Sequence, residues 1–171
     1  GIGQTYNSQV HHSATGSGTF EHLTAGPTTL LDPTGEGTVG SAVKDSAIVA
    51  AARAAGIPVE TVPQLVAIAG DSNSKAQTEA KTILRERAVV LGEAVSSLVG
   101  LFNPTRVVLG GQAFTDYPDT LNLIASLIHQ NSTDVDIRVT AARGRVQQQA
   151  AAAVAITAVA YDPLHAVEGA R

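Results

Sequence analysis

The residues best suited to chemistry fall in two stretches of the chain. The first is Val107-Val108-Leu109-Gly110-Gly111, an apolar run without alternation that ends in two glycines. Such a run reads as a strand covered on both faces of a parallel sheet. Ligands of open parallel sheets lie beyond the carboxyl ends of the strands. Two residues without a Cβ let the backbone approach a bound group and present its N–H donors, which suits a nucleotide or a sugar. A tight turn is the other reading of Gly110 and Gly111. No GxGxxG follows the strand and no Gly-Lys-Ser/Thr occurs in the chain, so neither the dinucleotide fingerprint nor the Walker A loop is present.

The second stretch holds Gln4, His11, His12, Glu21 and His22. His11, His12 and Glu21 are metal-ligating types, but their spacing matches no compact zinc motif. Adjacent histidines on an extended backbone point to opposite sides. No metal is expected here. Glu21 stands among glycines and threonines, where a carboxylate accepts two neighbouring sugar hydroxyls at once; a solvated helix residue is the alternative. No nucleophile with a base emerges elsewhere, so no catalytic residue is assigned. Asp71, Asp116, Asp119 and Asp162 read as turn and cap residues, and His129 as a favourable helix-terminal residue. Arg143 and Arg145 read as surface residues or an anion contact.

These residues need elements to position them. Half of the 16 glycines lie in residues 1–40, which predicts a loop region there. Within it, residues 19–26 read as a short helix capped by Thr19. Residues 41–56 predict one helix, and residues 59–70 a second with Pro63 in its first turn and Gly70 at its end. The strongest helix spans Ser72 to Phe102, capped by Asp71 or Ser72. Its apolar stripe is Ala80, Leu84, Ala88, Leu91, Val95, Leu98 and Phe102. Gly92 and Gly100 inside it predict close approach of another backbone, with a bend as the alternative. Asn103-Pro104 ends this helix. A strand follows to Gly110, then a helix over residues 117–131 capped by Asp119. A second strand covers residues 135–142, and an alanine-rich closing helix residues 144–161. Helix–strand–helix–strand–helix at this spacing predicts parallel strands joined by a crossover, with helices on both faces. The expected division is a glycine-rich loop region over 1–40, a helical α/β lobe over 41–162 and a mobile tail over 163–171.

Composition narrows the function classes. At 171 residues the chain holds one domain or one lobe of a larger one. Hydrophobic residues make up 44% and aromatics only 4%, so the core must be built from Ala, Val, Leu and Ile. Charged residues are 15%, which points to a face buried by self-association or by a partner lobe. The net charge of −4 and the lack of a basic run argue against direct nucleic-acid contact by these residues. There is no cysteine, hence no disulfide and no thiolate ligand; this fits a reducing, cytoplasmic setting. No secretory signal opens the chain, and the longest apolar stretch, from Ala150 to Ala160, is too short to span a bilayer. The absence of a starting Met leads us to expect a piece of a longer protein.

Residues 80–111, AKTILRERAVVLGEAVSSLVGLFNPTRVVLGG, resemble the second lobe of the ROK family of bacterial sugar kinases and sugar-responsive repressors. In that family a long helix ends in Asn-Pro and runs straight into a strand closed by Gly-Gly, here Asn103-Pro104 and Gly110-Gly111. The likeness extends over about residues 41–160 and implies the helix-rich second lobe of an actin-like, ribonuclease H-like α/β fold. The first residues are similar to the family's zinc and sugar signature in altered form. Gly3-Gln4 would stand at its Gly-His, His12, Ala14 and Thr19 at its three cysteines, and Glu21 at its glutamate, across a loop about two residues shorter. The resemblance implies sugar contacts by Gln4 and Glu21, a nucleotide-facing role for Gly110 and Gly111 in a kinase, and loss of the structural zinc. It also implies that the phosphate-binding and catalytic segments, and any helix-turn-helix, lie in a first lobe or earlier, outside this chain.

Three readings follow. One is the sugar-sensing effector part of a ROK-type transcriptional regulator, taking a sugar or sugar phosphate and needing no cofactor. The second is the C-terminal lobe of a sugar kinase, which would use ATP and Mg. The third is a dimerisation or scaffold module of the same fold. A homo-oligomer is expected in each, along with a partner N-terminal lobe and no membrane contact.

Overall fold

Breaks at proline and glycine, and an apolar period of three to four residues, cut this chain into helices. The computed structural model describes residues 2–6, 9–11, 18–132 and 134–140. Two short strands, β1 (Gln4–Tyr6) and β2 (Gln9–His11), pair antiparallel with Gln4 opposite His11. Helices α1 (Val39–Val43), α2 (Asp45–Ala54), α3 (Val62–Gly70) and α4 (Gln77–Phe102) follow. Then come β3 (Arg106–Leu109), α5 (Gln112–Thr115), a 3-10 turn at Pro118–Thr120, α6 (Leu121–His129) and β4 (Asp136–Val139). The expected parallel pair is present: β3 and β4 run side by side from Arg106 opposite Asp136 to Leu109 opposite Val139. Residues 141–171, which include the expected closing helix, Arg143, Arg145, Asp162 and the tail, lie outside the described residues.

Several boundaries depart from the sequence expectation. The helix expected over 41–56 is two helices, broken where Lys44 is extended (φ −60°, ψ 144°). Thr38 and Ser41 form a capping box that starts α1 early, while the Val43 carbonyl leaves the helix to accept from Arg87 Nη2 at 3.1 Å. The apolar period runs through the break, which hides it in the sequence. Residues 19–26 form no helix. Glu21 and His22 make a turn, Thr24 bridges to Thr38, and the Thr19 hydroxyl accepts from the Glu21 N–H two residues on. α3 matches its expectation, with a Thr61–Gln64 capping box and Pro63 in the first turn. α4 begins at Gln77 rather than Ser72, because the Asp71 carboxylate accepts from Asn73 N–H at 2.9 Å and folds residues 71–76 into turns. Asp119 lies inside the 3-10 turn and caps nothing.

Apolar packing forms two cores that share α4. One joins Leu31, Ile48, Ile57, Leu65, Ile83 and Leu84 among the first four helices. The other joins Ala88, Leu91, Val99, Leu109, Ile124 and Ile128 between α4, α6 and the parallel strands. The expected stripe on α4 is buried from Ala80 to Leu91, yet Phe102 is 45% exposed and Val90, Ala94 and Val99 are buried outside it. β3 is covered on one face only among the described residues: Leu109 is buried, whereas Val108 is 59% exposed. The two-sided cover read from the apolar run is therefore not observed there. Among the described residues, no helix is long and apolar enough to cross a membrane.

Gly92 and Gly100 separate the two explanations given for them. A Cβ on Gly92 would stand 2.7 Å from Leu127 Cδ1, 3.2 Å from Leu127 Cβ and 3.4 Å from Ile124 Cα, so α6 packs directly on the α4 backbone there. Around Gly100 no atom of the described residues lies within 4 Å, so among them close approach does not explain it. Gly92→Ala should therefore destabilise by about 1–3 kcal/mol through overpacking. Gly100→Ala should stabilise by up to about 1 kcal/mol through helix propensity. Urea unfolding of the two variants should show midpoints moving in opposite directions.

Candidate functional site

The segment carrying Glu21 is assembled from several long-range contacts. Ile2 N–H donates to Gly18 O at 2.7 Å, which lays the β1 strand beside the residues leading to Glu21. Glu21 is exposed and fixed through its backbone: its N–H donates to Thr19 Oγ1 at 3.2 Å, and its carbonyl accepts from Gly40 N–H at 2.8 Å. Gly40, in the first turn of α1, is buried against it. A Cβ there would lie 3.0 Å from both Glu21 Cβ and Glu21 O. The carboxylate is thus presented to solvent from a seat in which a larger residue than glycine would push Glu21 aside. Gly40 escaped the sequence reading; a glycine just inside a capped helix start was the available signal.

The rest of the loop is held by carboxylates from within the chain. Glu86 on α4 accepts from Thr29 N–H at 2.7 Å, Leu30 N–H at 2.9 Å and Leu31 N–H at 3.1 Å, and from Thr29 Oγ1 at 2.8 Å. Burial raises its pKa, but these hydrogen bonds outweigh burial and hold it below the ordinary value. Asp32, in the left-handed region at φ 60°, accepts from Gly37 N–H at 2.7 Å and Glu36 N–H at 3.2 Å. The Gly37 bond is the main cause of its lowered pKa.

Gln4 is half-buried on β1, and its Oε1 receives a long 3.5 Å contact from the Tyr6 hydroxyl. Among the described residues no hydrogen bond joins the Gln4 and Glu21 side chains. His12 and Ala14, aligned with two of the family's cysteines, lie outside the described residues. A family-type zinc does not fit the donors in this chain. The aligned positions hold Gln4, His12, Ala14 and Thr19, one imidazole and no thiolate. Among the described residues, no three His, Asp or Glu side chains converge on a point that would hold a metal.

Gly110 and Gly111 end β3 as expected. Gly110 is exposed, and Gly111 has φ 111°, a conformation that glycine alone adopts readily. The Gly111 carbonyl accepts from Phe114 and Thr115 N–H to start α5. Directly beyond, Gln112 and Asp116 line a crevice with Asp45, Arg87, Tyr117 and Thr120. The groove is lined by the residues that follow the paired glycines, from Gln112 on, and not by Gly110 or Gly111 themselves. Arg87 dominates its floor. Its Nη2 donates to Val43 O at 3.1 Å and to Asp45 Oδ1 at 2.9 Å, and its side chain is 13% exposed. The groove was not legible in the sequence, because its walls come from α2, α3, α4 and the stretch after β3. Asp116, read as a turn residue, ends α5 and also lines the crevice.

An α/β layer with a long helix feeding a parallel strand pair, plus an extended loop carrying a carboxylate, defines the second lobe of an actin-like fold. No family model matches the chain. It is 37% identical over 93% of its length to transcriptional regulators of Mycobacterium tuberculosis and Mycobacterium bovis. The chain spans 38% of the length of these relatives. Among solved structures it is similar to a ROK family transcriptional regulator homologous to the E. coli MLC protein, with TM-score 0.60 and 22% identity over 80% of this chain and 38% of that one. It is also similar to the ROK hexokinase of Thermus thermophilus, with TM-score 0.63 and 21% identity over 80% of this chain and 47% of that one. The chain thus shares its fold with part of these two ROK family proteins.

Two outcomes test this architecture. Glu86→Gln should lower stability at neutral pH by about 1–3 kcal/mol, since three backbone donors lose a charged acceptor. The Glu86 pKa is lowered in the folded state, so its stabilisation is present above the ordinary value of 4.5 and is lost as pH falls through the folded value. Melting curves from pH 7 to pH 3 should then fall less steeply for the variant than for the parent below pH 4.5. Gly40→Ala should displace Glu21, and the Glu21 and Gly40 amide resonances should shift while those of α6 stay in place.

Proposed function

We propose that this chain is the C-terminal part of the sugar-sensing effector domain of a ROK-type transcriptional regulator. The observation that carries this reading is the 37% identity to named transcriptional regulators along 93% of the chain. The geometry is consistent with it. A carboxylate suited to sugar hydroxyls, Glu21, is retained on a glycine seat, while the thiolate donors of the family's zinc are gone. Hydrogen bonds donated by loop N–H groups to Glu86 and Asp32 do the shaping in this reading. Gln4 retains both a donor and an acceptor for a sugar hydroxyl, but its amide is no base. Gly110 and Gly111 serve as the backbone edge of the neighbouring groove.

In this proposal the ligand is a sugar or sugar phosphate, bound between this lobe and an N-terminal lobe. DNA is contacted by a part of the protein other than these residues, whose net charge is −4. The protein works in the cytoplasm as a homo-oligomer. Sensing requires only that ligand binding differ in free energy between two lobe arrangements.

Calorimetry of the full-length protein with glucose, galactose, mannose and their 6-phosphates tests the reading. At least one should bind, and Glu21→Gln should weaken it by roughly tenfold or more, the cost of a lost charged hydrogen bond. Absence of heat with the whole panel, or sugar-dependent ATP consumption, would count against a sensor.

A further inference from the structure

We propose that Arg87 is a positioning residue that sets the place of Glu21 and links it to the loop after Gly110-Gly111. The inference rests on the sensor reading for its ligand but on geometry for its structure. Glu21 hangs from α1 through the Gly40 N–H, and the missing Cβ of Gly40 locks the two segments together. α1 is five residues long, too short to hold its own orientation, and the chain breaks into extended backbone at Lys44. Its far end is held from outside. One Arg87 nitrogen, Nη2, takes both the Val43 carbonyl that closes α1 and the Asp45 carboxylate that opens α2. Moving Arg87 therefore moves the helix on which Glu21 is seated.

The same side chain faces the other ligand-side loop. Arg87 and Asp116 line one crevice, and Asp116 ends the short helix that starts at Gly111. The Arg87 Nε is buried and has no hydrogen-bond partner among the described residues. Burial disfavours its charge, and both Asp45 and Asp116 oppose that effect. The guanidinium is bonded to Val43 and Asp45 and shares its crevice with Asp116, so it links the two loops through charge across that crevice. Glu86, its neighbour on α4, anchors residues 29–31, so one short stretch of this helix holds two points of the chain that follows Glu21.

Hydrogen–deuterium exchange on the full-length protein tests this without any ligand. Arg87→Met should speed exchange in peptides covering residues 21–43 by roughly tenfold, the loss of a charged hydrogen bond. Peptides of the α4–α6 contact, residues 88–99 and 121–128, should keep the parent rate. Unchanged exchange over 21–43, or equal acceleration in both regions, would overturn the proposal. In the calorimetric panel above, Arg87→Met should weaken the sugar that the parent binds by a similar factor, and Arg87→Lys should restore part of the loss. Parent-like affinity in Arg87→Met would also overturn it. If the parent binds none of the panel, the sensor reading fails, while the exchange comparison still decides the role of Arg87.

Discussion

The shared burial of α4 is the constraint on which the remainder of the structure depends. Ala80, Ile83, Leu84, Val90 and Ala94 face one core, and Ala88, Leu91 and Val99 face the other. A helix packed on two sides cannot rotate or slide without opening one of them. Its rotation is further pinned by small groups. Gly92 brings α6 onto its backbone, and the buried Ser96 hydroxyl donates to Leu127 O at 3.0 Å while accepting from Asn131 Nδ2 at 2.8 Å. In a chain with few aromatics, such close helix approach replaces large side chains as the source of packing.

That rigidity is passed outward through charged side chains rather than through a metal. Structural zinc contributes on the order of 10 kcal/mol to a small site. A charge-assisted hydrogen bond contributes about 1.5–3 kcal/mol. The loop from residue 19 to residue 38 is held here by several bonds of the second kind, accepted by Glu86 and Asp32. Each is individually replaceable and sensitive to pH, unlike a zinc clamp of one imidazole and three thiolates. A loop held this way keeps its shape while staying responsive to forces from a bound ligand or from the groove beyond Gly111.

How much of this was legible in the sequence depended on the range of the interaction involved. The helix–strand–helix–strand order and spacing identified β3 and β4 as parallel, and Asn103-Pro104 identified the end of α4, where Asn103 takes the left-handed conformation at φ 43°. Gly92 announced close packing because a helix interior tolerates glycine poorly. The break at Lys44 was not legible, since the Arg87–Val43 bond that fixes it spans 44 residues. Nor was the role of Glu86, whose partners lie 55 to 57 residues away. In the candidate site, Glu21 and the glycine pair after β3 could be picked out from local composition, but the groove could not. Gly40 and Arg87 could not, because their function is set by segments that only the fold brings together.

The parallel strands show the same dependence on α4. Four residues each, they are too short to form an independent sheet. On the outer face, Asp136 bridges Arg106 at 2.7 Å and Arg138 at 2.8 Å, and the bond from Arg106 is the main cause of its lowered pKa. Such exposed ion pairs contribute little, because water competes for both partners. The inner face decides the matter: Leu109 is buried, with Val107 and Ile137 packed against the cluster that α4 and α6 form. The strand pair is therefore a product of the helix layer. The position of Gly110 and Gly111, and of the groove lined by the residues after them, follows from α4 rather than from the sheet.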